Sequence, residues 1–329
     1  MGETFVVIGS NSFSGSHFVD YLLEQGQRVI GVSRSAQPHS VFLPWSRHEN
    51  APFEFHQLDL NHHTEEILEL VRGSGARYVV NFAAQSMVAQ SWDNPEHWYT
   101  TNLVSTARLH DGLRQVSHLE RYVHVSTPEV YGSCRGAVQP DAPFNPSTPY
   151  AVSRAACDMS LRAYFHNYGF PVVFTRAANV FGPGQQLYRI VPRTVLYGLT
   201  GRTLQLHGGG TSERSFIHIR DVAEGTYLAC LQGTPGATYH MATLELRSIR
   251  AIVEEVCRSI DVPFESMVEV SPERAGKDAA YILDCWKTRS DLGWEPKLSF
   301  AQGVDETVAW IRENLEVLGE QPQAYVHQA

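Results

Sequence analysis

The stretch Phe5-Val6-Val7-Ile8-Gly9-Ser10-Asn11-Ser12-Phe13-Ser14-Gly15 decides the fold. It opens with four apolar residues of strand length, closes that run with a glycine, and leads into a helical pattern over Gly15 to Gln25. A strand that turns through glycine into a helix N-terminus offers backbone N–H groups to an anion, and a pyrophosphate suits such a turn. Gly9 and Gly15 are spaced as the outer glycines of G-x-x-G-x-x-G, with Ser12 in the middle position. The motif by itself is weak, because glycine turns also follow strands where no ligand binds.

Working outward, apolar runs recur at Val29 to Val32, Tyr78 to Phe82, Tyr122 to Val125 and Val172 to Thr175, with helical patterns such as Thr101 to Gln115 between them. This alternation predicts a parallel sheet with helices on both faces. The next strand ends in Ser33-Arg34-Ser35, where a carboxylate would hold the ribose hydroxyls of NAD. A hydroxyl and a guanidinium suit a 2′-phosphate instead, which favours NADP over NAD, although Arg34 also reads as a solvated surface arginine. Asp59-Leu60 closes a third strand where a carboxylate can meet an adenine amine. Phe82-Ala83-Ala84-Gln85 ends the fourth with small residues that permit close backbone approach to a cofactor. The candidate cofactor residues are therefore Gly9, Asn11, Ser12, Phe13, Ser14, Gly15, Ser33, Arg34, Asp59, Leu60, Phe82, Ala83, Ala84 and Gln85.

Beyond the strand at 122–125 come Ser126-Thr127-Pro128-Glu129-Val130-Tyr131-Gly132 and then Pro149-Tyr150-Ala151-Val152-Ser153-Arg154, which opens a helix. With Arg176-Ala177-Ala178-Asn179-Val180-Phe181-Gly182-Pro183, Arg214-Ser215-Phe216-Ile217-His218-Ile219-Arg220-Asp221-Val222 and Leu292-Gly293-Trp294-Glu295-Pro296, these segments resemble the extended short-chain dehydrogenases that process sugar nucleotides. Within them the chain is similar to the nucleotide-sugar 4,6-dehydratases. Ala84-Gln85-Ser86-Met87-Val88 resembles the GDP-mannose branch, whereas the Arg214 segment looks more like the dTDP-glucose enzymes and 4-epimerases.

The resemblance implies a Rossmann-type α/β fold, a doubly wound parallel sheet with a smaller C-terminal α/β substrate-binding lobe. The expected cofactor domain is 1–179 with a returning segment about 215–242, the sugar-nucleotide lobe is 180–214 with 243–320, and 321–329 is a loose tail. It also implies catalytic roles for Thr127, Glu129, Tyr150 and Arg154, with Tyr150 and Arg154 reaching the cofactor, and substrate contacts from Ser86, Asn179, Arg189, Arg214 and Arg274. Two positions depart from the family pattern. Pro128 stands where the dTDP-glucose enzymes carry an aspartic acid, and Arg154 stands where Y-x-x-x-K expects lysine. Arginine keeps the charge that lowers a tyrosine pKa but is planar and does not release a proton. The alternatives on this fold are a 4-epimerase, which needs no acid at Glu129, and a 4-ketosugar reductase. A catalytically weakened dinucleotide sensor is the alternative of another class. By the same resemblance, helices at about 95–115 and 149–168 form the seam of a homodimer.

Composition narrows the partners. With 329 residues, 43% of them hydrophobic, the chain can bury a large core, and its net charge of −9 gives no footprint for nucleic acid or acidic membranes. Five cysteines occur singly, without C-x-x-C, which argues against zinc or a disulfide framework and for a reducing compartment. No apolar stretch approaches a membrane span and no basic leader opens the sequence, so a cytoplasmic location is expected. None of the 15 histidines falls in H-E-x-x-H, and no metal is expected.

Overall fold

The structure is a computed structural model that describes residues 2–134, 136–272 and 282–328. Seven strands build the central sheet: β1 (Thr4–Ile8), β2 (Arg28–Ser33), β3 (Phe53–Gln57), β4 (Tyr78–Asn81), β5 (Arg121–Val125), β6 (Val172–Ala177) and β7 (Thr238–Met241). Their spatial order is β7-β6-β5-β4-β1-β2-β3, and every neighbouring pair is parallel. Val7 sits opposite Gly31 on one side and Val80 on the other.

Successive side chains of a strand point to opposite faces, so Phe5 and Val7 enter one apolar cluster while Val6 and Ile8 enter another. Helices α1 (Phe13–Glu24) and α5 (Ile219–Gln232) cover the first face. Helices α2 (Thr64–Ser74) and α3 (Pro149–Tyr168) cover the second. Burial on both sides is why β1 reads as a continuous apolar run with no polar alternation. A smaller core joins α4 (Ile190–Leu199), α6 (Ile249–Ser259) and α7 (Phe300–Glu313) through Val191, Val195, Ile252, Val256, Val304 and Ile311.

The chain moves from β1 outward through β2 and β3, then crosses to β4 on the other side of β1. That reversal opens a crevice at the carboxyl ends of β1 and β4, the place where open α/β sheets receive ligands. After β6 the chain leaves the sheet and comes back through α5 and β7.

The helix expected over 101–115 is interrupted. Pro95–Tyr99 runs into a π-helical turn, Thr100–Ser105, before the α-helix resumes at Thr106–Leu113. The extra residue in such a turn redirects side chains, which no apolar period announces. Within 322–328, side chains of the C-terminal segment contact the body. The ring of His327 stacks on Trp98 with centroids 4.9 Å apart. Single aromatic anchors in a short polar stretch carry no periodic signal.

Candidate active site

The turn after β1 explains its own sequence. Gly9 has φ of +85°, and a Cβ there would stand 2.7 Å from the Ala83 nitrogen, so the position requires glycine on both conformational and packing grounds. Gly15 is packed directly on the Gly9 carbonyl, 2.1 Å from where its own Cβ would be. Ser12 has an ordinary extended backbone and caps α1: its Oγ accepts from the Gly15 N–H at 3.0 Å and donates to the Gly9 carbonyl at 2.7 Å. The middle position therefore makes no demand for positive φ, and serine serves it as an N-cap.

A cavity of about 220 Å³ lies over this turn, lined by Gly9, Asn11, Ser12, Ser33, Arg34, Asp59, Leu60, Phe82, Ala83, Ala84 and Gln85. The Asn11 N–H donates to Ser33 Oγ at 2.9 Å and its side chain donates to the Ser35 carbonyl at 3.0 Å, tying the glycine turn to the end of β2. Asp59 Oδ1 accepts from the Asn61 N–H at 2.8 Å. A glycine cradle, a helix N-terminus, a hydroxyl and guanidinium at the end of β2 and a carboxylate after β3 fit a dinucleotide laid across the strand ends. Phe13 and Ser14 line the neighbouring, larger cavity, and Gly15 packs on the Gly9 carbonyl while its N–H meets the Ser12 cap.

That second cavity, about 600 Å³, shares Ser12, Phe82 and Ala84 with the first and brings together Ser86, Thr127, Glu129, Tyr150, Arg154, Asn179, Arg189 and Arg214. Arg274 lies outside the described residues. Thr127, two residues beyond β5, caps a short 3-10 turn, Pro128–Tyr131, its Oγ1 accepting from the Glu129 N–H. Pro128 occupies the first position of that turn, where a missing N–H costs nothing. Tyr150 is the second residue of α3, held there by Thr148, whose Oγ1 accepts from the Ala151 N–H at 3.1 Å. Burial raises the Tyr150 pKa above the ordinary phenol value. Arg154 and a hydrogen bond with Thr127 pull it back down, and Glu129 pushes it up.

Arg154 is 2% exposed and lines the same cavity as Tyr150. Its Nη2 donates to the Val125 carbonyl and lies 3.3 Å from His124 Nε2. Burial and the adjacent Arg154 hold His124 well below the ordinary imidazole range, hence neutral. Behind it, Asp158 accepts from Arg176 Nη2 at 2.6 Å and from Ser126 Oγ at 2.8 Å, and its other oxygen is 3.5 Å from His124. Asp158 is paired with Arg176, whereas Arg154 is held by a neutral carbonyl and a neutral imidazole, which leaves its positive charge to act on Tyr150.

On the substrate side, Arg189 is the residue before α4 and sits 5.5 Å from the Tyr188 ring centroid; Arg214 Nη1 donates to the Glu213 carbonyl at 2.7 Å. Inspection of the sequence missed Asn102. The π-helical turn aims its buried side chain at Gln85, accepting from its N–H at 2.8 Å and donating to its carbonyl at 2.9 Å, while also donating to Ser153 Oγ at 2.9 Å. An asparagine inside an otherwise helical run was the available signal. Among the described residues, ligand-type atoms of Asp20, Glu24 and His48 converge, but Arg47 ion-pairs with both carboxylates and accounts for their grouping.

A dinucleotide cradle continuous with a buried Thr–Tyr pair defines the class: an enzyme of the extended short-chain dehydrogenase/reductase type. Residues 6–307 match the GDP-mannose 4,6 dehydratase family, and the chain belongs to it. It is 30% identical to the dTDP-glucose 4,6-dehydratase of Xanthomonas campestris pv. campestris, covering 94% of this chain and 93% of that protein. It is 34% identical to the dTDP-glucose 4,6-dehydratase of Streptomyces niveus over 75% of this chain and 72% of that one. A solved dTDP-glucose 4,6-dehydratase from Streptomyces venezuelae with NAD bound superposes with a TM-score of 0.88 at 32% identity, covering 96% of this chain and 99% of that one.

Proposed function

We propose that the chain is a redox-neutral NDP-sugar 4,6-dehydratase that converts a nucleotide-diphosphate sugar to its 4-keto-6-deoxy form. The observation that carries the reading is Glu129, a carboxylate two residues after Thr127 in the same cavity as Tyr150. When bound, the nicotinamide supplies a two-electron exchange, accepting hydride from C4 of the sugar and returning it at C6. Tyr150, as phenolate, takes the O4 proton while the Thr127 hydroxyl holds the same oxygen. The C4 ketone acidifies C5–H, Glu129 removes that proton, and the C6 hydroxyl departs with it as water. Pro128 has no acid to offer, so Glu129 serves both the C5 proton and the leaving hydroxyl. Reprotonation at C5 completes the balance: two protons leave O4 and C5, and two are consumed by the leaving hydroxyl and C5. Asn179, Arg189 and Arg214 line the cavity as donors for the diphosphate, with Ser86 toward the sugar.

The finer assignments follow. NADP is preferred to NAD because Ser33 and Arg34, rather than a carboxylate, stand at the end of β2 and border the adenosine cavity. The cofactor domain is 1–179 with the segment about 215–242, and the sugar-nucleotide lobe is 180–214 with 243–320. The protein is a homodimer, joined through α3 and the helices before it, where Met159 is 62% and Val152 39% exposed. It is cytoplasmic, in keeping with five free thiols, four of them buried.

Mass spectrometry of the purified protein with a panel of GDP-, dTDP-, UDP- and CDP-sugars tests the reaction. Loss of about 18 mass units from one sugar nucleotide, with no net cofactor reduction, is expected. A new isomer of unchanged mass would replace dehydration with epimerisation.

A further inference from the structure

Residues 323–328 join the two halves of the molecule. On the side of the smaller lobe, Arg202 Nη1 donates to Gln323 Oε1, Arg193 Nη2 lies 3.5 Å from the Gln323 carbonyl, and the Tyr325 ring meets Tyr188 edge-on with centroids 5.9 Å apart. On the side of the sheet, His327 stacks on Trp98, and its Nε2 is 2.8 Å from His97 Nδ1. Tyr325 and His327 also hydrogen-bond to each other at 3.1 Å, which makes the segment a braced unit.

The last contact is the informative one. The Gln328 carbonyl accepts from Gln85 Nε2 at 2.7 Å and from Arg34 Nη2 at 3.2 Å. Gln85 follows β4 and Arg34 follows β2, the strands on either side of β1, and both line the cavity over the Gly9 turn. One backbone oxygen held from both sides places the segment across the crevice at its rim, while about 220 Å³ remains open between the strand ends. Arginine has five N–H donors, so Arg34 can hold this carbonyl and a ligand phosphate together.

We propose that Tyr325, His327 and Gln328 form a strap that completes the dinucleotide site and retains the cofactor between turnovers. The proposal rests on the cofactor reading above. It suits a reaction that restores its cofactor in every cycle, because such an enzyme has no need to release it. The strap also touches Tyr188, which lines the substrate cavity, so retention and substrate occupancy share a contact.

The test measures the release rate of NADP and of NAD by stopped-flow fluorescence. It compares the full chain, a variant ending at Gly319 and a full-length Tyr325→Ala/His327→Ala variant, with near-UV circular dichroism to verify folding. The double variant keeps the proposal falsifiable if truncation impairs folding. Release faster by about tenfold or more, the equivalent of one lost charge-assisted hydrogen bond, is expected in both. Unchanged release, or tighter binding because the segment competes with the ligand, overturns the strap while leaving the dehydratase reading intact. Absence of dinucleotide binding by the full chain overturns the dehydratase reading and the strap with it.

Discussion

Replacing Arg154 with methionine tests the electrostatics of the site most directly. Arg154 and Tyr150 stand four residues apart on α3, a spacing that puts Cβ atoms about 6 Å apart. Both are buried, so salt screens the pair little. With the two charges taken at that same ~6 Å separation and an effective dielectric of about 20, they interact by about 2.8 kcal/mol, a factor of about 100 in an equilibrium constant. The sign follows from the mechanism. Tyr150 must be deprotonated to accept the O4 proton, the guanidinium favours the phenolate, and burial opposes it. Removing the guanidinium raises the Tyr150 pKa, so the ascending limb of the kcat/KM profile moves toward alkaline pH. Below both limbs the rate falls about 100-fold. Arg154→Lys retains the charge and keeps its limb near the parent's. The assay is dehydratase kcat/KM across pH for the three proteins, with melting curves to verify folding. A folded Arg154→Met variant whose limb coincides with the parent's would refute the claim that this charge tunes Tyr150.

Glu129→Gln should lower dehydration by about 10²- to 10⁴-fold, the usual contribution of a positioned acid–base group, while nicotinamide reduction persists in a single turnover. Loss of both signals would move Glu129 into binding. Ser12→Ala removes the α1 cap and should cost about 1 kcal/mol in urea unfolding, with an unchanged midpoint counting against the cap. Arg34→Ala should weaken NADP about tenfold or more beyond any effect on NAD by calorimetry, since only the 2′-phosphate bonds the guanidinium directly. Met159→Asp places a charge at an exposed apolar position on α3 and should yield monomers in sedimentation velocity; a persistent dimer would locate the seam elsewhere.

Much of this architecture is legible in the sequence because local and tertiary demands coincide. Strand β1 reads as buried because both of its faces are covered, and Gly9 reads as a turn because no other residue fits its φ and its contact with Ala83. The Thr127, Glu129 and Tyr150 set is legible only through the resemblance to the sugar-nucleotide enzymes, and the segment after β5 and the start of α3 bring all three to one cavity. What was not legible depends on side-chain direction. That Arg154 donates to the Val125 carbonyl depends on the end of β5, 29 residues earlier. The π-helical turn and the docking of His327 on Trp98 depend on partners far away in the chain, so neither leaves a local pattern.

The Asn102 clasp has a consequence for engineering. Because one amide holds both carbonyl and N–H of Gln85 and also reaches Ser153, the loop beside the cofactor and the helix bearing Tyr150 form a single mechanical part. A chimera that exchanges α3 with a relative's helix inherits a working site only if positions 85, 102 and 153 travel together. Swapping the helix alone would leave a buried amide without one of its acceptors and decouple the two halves of the reaction centre.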